Sequence, residues 1–268
     1  DAPALQRLLD DTAARDHLIV PVGVADVLAG DAWVAADAQG VPVGVGWRRD
    51  GAAAVVDVRV HPRHRRKGIG DALLKHLLAR HPGGPVVASC DAGHARAQHF
   101  VRHRGFTLKG VVFFQRWDGE LEDVPRAFKN ARVAVGADAA ADWALLQAAA
   151  ADTWPPPTVT AEDLADPAVR TRVAWVGDTP AGVVVATREA DAWVAGGFAV
   201  LPACRKRGVG RQLLSDLMAE AAREGLGVVL RVSHEAEQIQ AWTAALGFWT
   251  YRSWCYWVLD PAGMAAAG

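Results

Sequence analysis

Val60 to Leu74 reads VHPRHRRKGIGDALL, and Val200 to Leu214 reads VLPACRKRGVGRQLL. Val, Pro, Arg, two Gly and two Leu fall at the same places in both strings, 140 residues apart. Downstream, RGFTLKGVVFFQRWD (Arg104–Asp118) matches LGFWTYRSWCYWVLD (Leu246–Asp260) at a spacing of 142. Two strings in one order, drifting by two residues, mark an internal duplication. A chain of 268 residues accommodates two domains of ordinary size. The boundaries expected from the repeat are a first domain over residues 1–119, a linker over 120–130 and a second domain over 131–268.

The pattern around the two strings also repeats. Asp1 to Asp11 carries Leu5, Leu8 and Leu9 on one helical face, and Asp138 to Ala151 is its counterpart. Apolar runs at Ala32–Ala36 and Val41–Trp47 flank a turn sequence, as do Arg172–Val176 and Gly182–Thr187, so each copy holds a hairpin. Strands follow at Ala54–Val60 and Ala192–Val200, then helices near Ile69–Ala79 and Val209–Arg223. Each copy goes on with a β-branched strand (Pro85–Cys90; Gly227–Ser233), a second helix and a closing pair of strands. Hairpins joined to strand–helix–strand units imply α/β domains of mixed α+β character, each a mixed sheet with helices on both faces. Arg132–Val135 reads as the opening strand of the second copy. An equivalent for the first copy is expected before Asp1.

The glycines sit where a strand gives way to a helix. Glycine lets a ligand approach the backbone, and the N–H groups of a helix N-terminus point at negative charge. Arg65, Arg66 and Lys67 precede Gly68-Ile69-Gly70, and Arg205, Lys206 and Arg207 precede Gly208-Val209-Gly210. A pyrophosphate suits such a turn. No Gly-Lys-Ser/Thr follows, and Leu73 and Leu213 stand where a dinucleotide fingerprint places its third glycine.

A strand ending in Val-x-Pro, then Arg-x-x-Gly-x-Gly and a Leu-Leu helix, resembles the coenzyme A site of the GNAT superfamily of acyl-CoA-dependent N-acyltransferases. Gly105-Phe106 and Gly247-Phe248 are similar to that family's second signature. The resemblance covers nearly the whole chain, twice. It implies two tandem N-acyltransferase-like domains, each with a splayed sheet that holds acetyl-CoA and an acetyl group passed to a small-molecule amine in a ternary complex. By the same resemblance, backbone groups of Val58, Arg59 and Val60, and of Phe198, Ala199 and Val200, align the pantetheine. Arg66, Lys67, Gly68, Ile69, Gly70 and Asp71, and Lys206, Arg207, Gly208, Val209, Gly210 and Arg211, wrap the pyrophosphate.

The catalytic pattern departs from the family. His94 and Val101 in the first copy, and Ala236 and Thr243 in the second, replace the family's frequent Asn and its thiolate-protonating Tyr. Ala54 and Val194 replace a frequent Glu. The remaining candidates are Asp57 as a base on its strand, His234 and Glu235 where strand meets helix, and Tyr256 in a closing strand. Eight of the 11 tryptophans follow residue 130, and Tyr251 and Tyr256 are the only tyrosines. These aromatics favour the second copy as the catalytic one, with Trp154-Pro155-Pro156-Pro157 a stiff loop over the acceptor. The competing reading is an acyl-CoA-binding regulatory or structural module with one or both copies inactive.

Composition limits the other classes. A net charge of −1 gives no global field for nucleic acid. Three scattered cysteines form no CxxC pair, which argues against zinc and against a disulfide framework. No run is long and apolar enough to span a membrane. The expectation is a cytoplasmic monomer or homodimer that binds no metal, nucleic acid or membrane.

Overall fold

The computed structural model describes residues 2–16, 24–50, 54–126, 131–136, 138–151, 159–166 and 168–260. The chain folds as two units of the same mixed α/β design. Within the first copy the order is α1 (Ala2–Asp16), α2 (Val24–Leu28), β1 (Asp31–Ala36), β2 (Pro42–Arg49), β3 (Ala54–Val60), α3 (Ile69–Ala79), β4 (Val86–Asp91), α4 (Ala95–Arg102) and β5 (Thr107–Trp117). The second copy runs β6 (Arg132–Val135), α5 (Ala139–Ala150), β7 (Val169–Val176), β8 (Thr179–Arg188), β9 (Ala192–Val200), α6 (Val209–Glu224), β10 (Gly227–Ser233), α7 (Glu237–Ala245) and β11 (Trp249–Leu259). In place of a closing pair, each copy ends on one strand of 11 residues.

In the first unit, β1, β2 and β3 are antiparallel neighbours and β4 runs parallel to β3. Alternation along β2 separates two helical layers. Val45 and Trp47 pack with Leu5, Leu8 and Leu9 of α1. Gly44 and Gly46 face α3, where a Cβ on Gly44 would lie 2.8 Å from Ile69 Cγ2. Leu74 and Leu77 of α3, with Val101 of α4, fill the core over Val56, Val86 and Ala88. The second unit repeats this order with β6 added at the edge of β7. Val183 and Val185 meet Leu146 and Ala149 of α5, while Val184 and Ala186 meet Leu213, Leu214 and Leu217 of α6.

The compact units do not have the boundaries of the sequence repeat. The first unit comprises the chain up to Val111 together with the chain from Trp254, and the second comprises Val112–Ser253. Register explains the difference. Trp254–Leu259 of β11 pairs antiparallel with β4, from Trp254↔Asp91 to Leu259↔Val86. Val112–Trp117 of β5 pairs antiparallel with β10, from Val112↔Ser233 to Trp117↔Val228. The halves 1–119 and 131–268 thus exchange the ends of their closing strands. Of the proposed linker, residues 127–130 lie outside the described residues; Leu121–Asp123 forms a short 3-10 turn with a capping box between Glu120 and Asp123.

Candidate active site

In each unit the parallel strands begin paired and then part. β3 and β4 are in register at Ala54↔Val86, Val55↔Val87 and Val56↔Ala88, and β9 and β10 at Ala192↔Gly227, Trp193↔Val228 and Val194↔Val229. β3 runs on to Val60 and β9 to Val200 past the last of these pairs. Backbone polar groups on that edge need partners, and an extended ligand rich in amides supplies them as an added strand would. A bulge between Val185 and Ala186, opposite Gly196, re-aims β9 in this stretch, whereas β2 and β3 keep continuous register.

The two glycine turns are backbone replicas. Arg66 and Gly68 have φ of 64° and 81°, and Lys206 and Gly208 have φ of 59° and 84°. The first helical bonds run from Ala72 N to Gly68 O and from Gln212 N to Gly208 O, each 3.0 Å. Three preceding amides in each helix therefore lack an intrahelical acceptor, which makes an anion site. A Cβ on Gly70 would meet Val60 Cγ2 at 3.6 Å and Phe100 at 3.7 Å, and one on Gly210 would meet Phe198 and Val200 at 3.6 Å. These are ordinary contacts, so the fold does not itself require glycine at either place. The free amides of each turn could hold a diphosphate pressed against the backbone, where a Cβ would stand in its way.

Side chains divide the work around the turns. Arg65 Nε donates to Val60 O at 2.9 Å and Arg205 Nε to Val200 O at 3.0 Å, tying each turn to the end of its strand. Arg205 Nη2 also donates to Ala149 O at 3.2 Å. Arg66, Lys67, Lys206 and Arg207 are exposed beside the helix N-termini. Position 71 separates the copies. Asp71 pairs with Arg104 at 2.5 Å, whereas its counterpart is the cation Arg211.

The opposite face of the first sheet, toward α1, carries polar side chains beside the Val45–Trp47 cluster. Cys255, Trp257 and Leu259 pack into the core under α3 and α4, so Tyr256 lies on the α1 side. Asp57 and Arg59 lie on that side too, since Asp57 pairs with Trp47 and Arg59 with Val45. Extending the Val56↔Ala88 register puts Asp57 level with Ser89, which pairs with Tyr256. Asp57 and Tyr256 thus flank the parting strands in one row, with Cα atoms roughly 10 Å apart or more by strand spacing. Burial raises the pKa of Asp57 above the usual carboxylate range, and the charge of Arg59 opposes that shift. About a third of the Asp57 side chain (36%) still meets solvent, so the shift is moderated by water.

The same face of the second unit is closed. Gly197 and Ala199 occupy the positions of Asp57 and Arg59, paired with Val185 and Val183. A Cβ on Gly197 would lie 2.8 Å from Leu146 Cδ2 and 3.2 Å from Val159 Cγ2. Leu146, Ala149, Val159 and Ala199 form one apolar cluster there.

The other candidates fall elsewhere. His234 and Glu235 are exposed in the turn between β10 and α7, where Glu235 N donates to Ser233 Oγ at 3.2 Å. Tyr251, in the second unit, meets Phe114 and Trp249 edge-on, and burial raises its pKa. Val101 is a core residue. Thr243 is fully buried and donates to Gln115 Oε1 at 2.6 Å, so neither stands in for a thiolate-protonating group. The described tryptophans do not line one pocket: Trp193 is buried, Trp242 stacks on Phe198, Trp249 is exposed, and Trp254 and Trp257 belong to the first unit. The Trp154–Pro157 segment lies outside the described residues. Reading the sequence missed the Arg59 side chain and Leu146; strand alternation from Val60 back to Asp57 was the available signal for the former.

Two units, each with parting parallel strands and a glycine turn at a helix N-terminus, define the acyl-CoA-type N-acyltransferase class. The chain belongs to the GNAT acetyltransferases. A model described as an acetyltransferase (GNAT) domain matches residues 29–108, and one described as the acetyltransferase (GNAT) family matches residues 138–248. Among solved structures, a GCN5-related N-acetyltransferase from Sphaerobacter thermophilus has a TM-score of 0.75 at 16% identity, covering 97% of this chain and 92% of that one. A tandem GNAT protein from the clavulanic acid biosynthesis pathway has a TM-score of 0.75 at 18% identity, covering 100% and 95%. A GCN5-related N-acetyltransferase from Kribbella flavida has a TM-score of 0.59 at 19% identity, covering 99% and 97%. At these identities the likeness concerns the fold. No curated protein matches the sequence. No helix among the described residues is long and apolar enough to cross a membrane.

Proposed function

We propose that the protein is an acetyl-CoA-dependent N-acetyltransferase whose first unit carries the chemistry, acting on a small primary amine. The observation that carries this reading is the row of Asp57, Ser89 and Tyr256 beside the parting strands of the first unit, next to an intact glycine turn. The neutral amine attacks the thioester carbonyl carbon, forming the C–N bond. Backbone N–H groups of β3 beyond Val56 stabilise the oxyanion. Asp57 takes the proton that the amine loses, directly or through water, and its raised pKa makes it a stronger base than an ordinary carboxylate. The C–S bond then breaks, and Tyr256 gives its proton to the departing thiolate. A proton from Asp57 restores Tyr256 through water.

The second unit, in this reading, binds acyl-CoA without turnover. Its turn is the more cationic, with Arg211 where the first has Asp71, but Leu146 and Val159 fill the face from which an amine would approach. The tryptophans and tyrosines of the second copy favour it in the sequence, but Trp254, Tyr256 and Trp257 belong to the first unit. Release of coenzyme A thiol from acetyl-CoA, measured against a panel of primary amines, tests the function. Amine-dependent release that is lost in Asp57→Asn supports it. Release that no amine accelerates refutes it.

A further inference from the structure

We infer that the amine accepted by the first unit carries a carboxylate close to its nitrogen, and that Arg59 binds that carboxylate. The inference rests on the transferase reading above and names its acceptor. Arg59 is only 7% exposed and stands on the stretch of β3 past its last pair with β4. Its guanidinium lies over Trp47, 5.4 Å from Cζ to the ring centroid. Nη2 reaches Asp57 Oδ2 at 3.4 Å, a long contact for a charge-assisted bond. Nε and Nη1 are buried and have no hydrogen-bond partner. Buried guanidinium N–H groups left unmade are costly and rare in folded proteins. Nη1 and Nη2 form the end-on fork of the guanidinium, and a planar anion with two acceptor oxygens matches that fork and gives the unpartnered Nη1 its acceptor.

The fold itself does not require this charge. In the second unit the equivalent positions are Gly197 and Ala199, and Leu146 of α5 and the non-helical Val159 close over them. The first unit therefore keeps a buried Arg and its carboxylate partner at a place where Gly and Ala serve structurally. Asp57 and Arg59 present opposite charges two residues apart on one strand face, with their polar atoms 3.4 Å apart. An α-amino acid presents the complementary pair, an amine and a carboxylate separated by one carbon. Once a substrate carboxylate shares the guanidinium, Asp57 loses part of the counter-charge that steadies its ionised form and becomes the stronger base. Correct docking thereby activates the proton acceptor.

The test compares free α-amino acids with their amides and with the decarboxylated amines, using the full chain. Two readouts are taken: coenzyme A release from acetyl-CoA, and calorimetric binding to the chain saturated with coenzyme A. The acids should bind at least ten-fold more tightly, and react at least ten-fold faster in kcat/KM, than their amides. Arg59→Gln should erase that preference, while Arg59→Lys keeps part of it. Equal binding of acids and amides by the unaltered protein overturns the inference and needs no variant to fold. So does a preference that survives in a folded Arg59→Gln protein. Transfer only to amines lacking a carboxylate sinks Arg59 recognition and leaves the transferase reading standing. Carboxylate-selective binding lost in Arg59→Gln, with no transfer to any amine, supports the site and sinks the transferase reading.

Discussion

Gly197→Ala puts one methyl group between β9 and α5, and the outcome depends on whether that space is packed or working. The added Cβ would sit 2.8 and 3.2 Å from the two Cδ atoms of Leu146 and 3.2 Å from Val159 Cγ2. Carbon atoms pack best at about 3.5–4.0 Å, so Leu146 must give by several tenths of an ångström. Leu146 is fully buried among Ala149, Val173, Val183, Val185 and Ala199, so little room exists for it to move. Overpacking of this kind costs about 1–3 kcal/mol. Urea unfolding followed by tryptophan emission should show that loss, while kcat and the amine KM stay unchanged. Unaltered stability together with a collapse in kcat would refute the reasoning, because the second unit would then be using that face for its acceptor.

Other consequences follow from the same geometry. Tyr256→Phe should lower kcat about 10²–10⁴-fold, the usual range for a lost proton donor, with coenzyme A binding by calorimetry unchanged; an unaltered kcat would remove Tyr256 from the mechanism. Because the folded pKa of Asp57 is raised, the native state holds that proton more tightly than the unfolded chain. Stability contributed by the group should therefore fall as pH rises from the ordinary carboxylate range through the raised value, while kcat/KM rises over the same window. Asp57→Asn should abolish both trends, and a kinetic limb at the usual carboxylate pKa would contradict the assignment. Burial pushes the Cys90 thiol up to about 11, so a thiol reagent at neutral pH should label the less buried Cys204 first and spare Cys90 in the native protein. Rapid labelling of Cys90 would show that β11 opens away from β4.

Much of the fold could be read from the chain. Helix starts at Ile69 and Val209 followed from the glycine turns, because Gly interrupts the strand pattern and a Leu-rich run of helical spacing follows it. Exchange of the closing strands could not be read. TLKGVVFFQRW and WTYRSWCYWVL have similar lengths and similar alternation, so pattern alone fits either strand to either sheet. That ambiguity misplaced Tyr256 with the copy that encodes it. Asp57 was legible as a strand carboxylate, but its setting depended on the Arg59 side chain and on what covers the sheet. Position 199 looked like one more pantetheine-aligning backbone group, and only packing shows that Leu146 and Val159 close the space beside it.

The central claim, that acetyl transfer takes place in the first unit, is tested most directly by steady-state turnover of Gly70→Ala beside Gly210→Ala. Each Cβ has ordinary contacts of 3.6 Å or more with its own fold, so both proteins should stay folded. Each methyl would displace a pyrophosphate from its own turn, with loss of charge-assisted bonds worth about 1.5–3 kcal/mol apiece. The account predicts that Gly70→Ala lowers kcat/KM for acetyl-CoA at least ten-fold while Gly210→Ala leaves it near the unaltered value. Loss in Gly210→Ala alone would contradict it and move the reaction to the second unit.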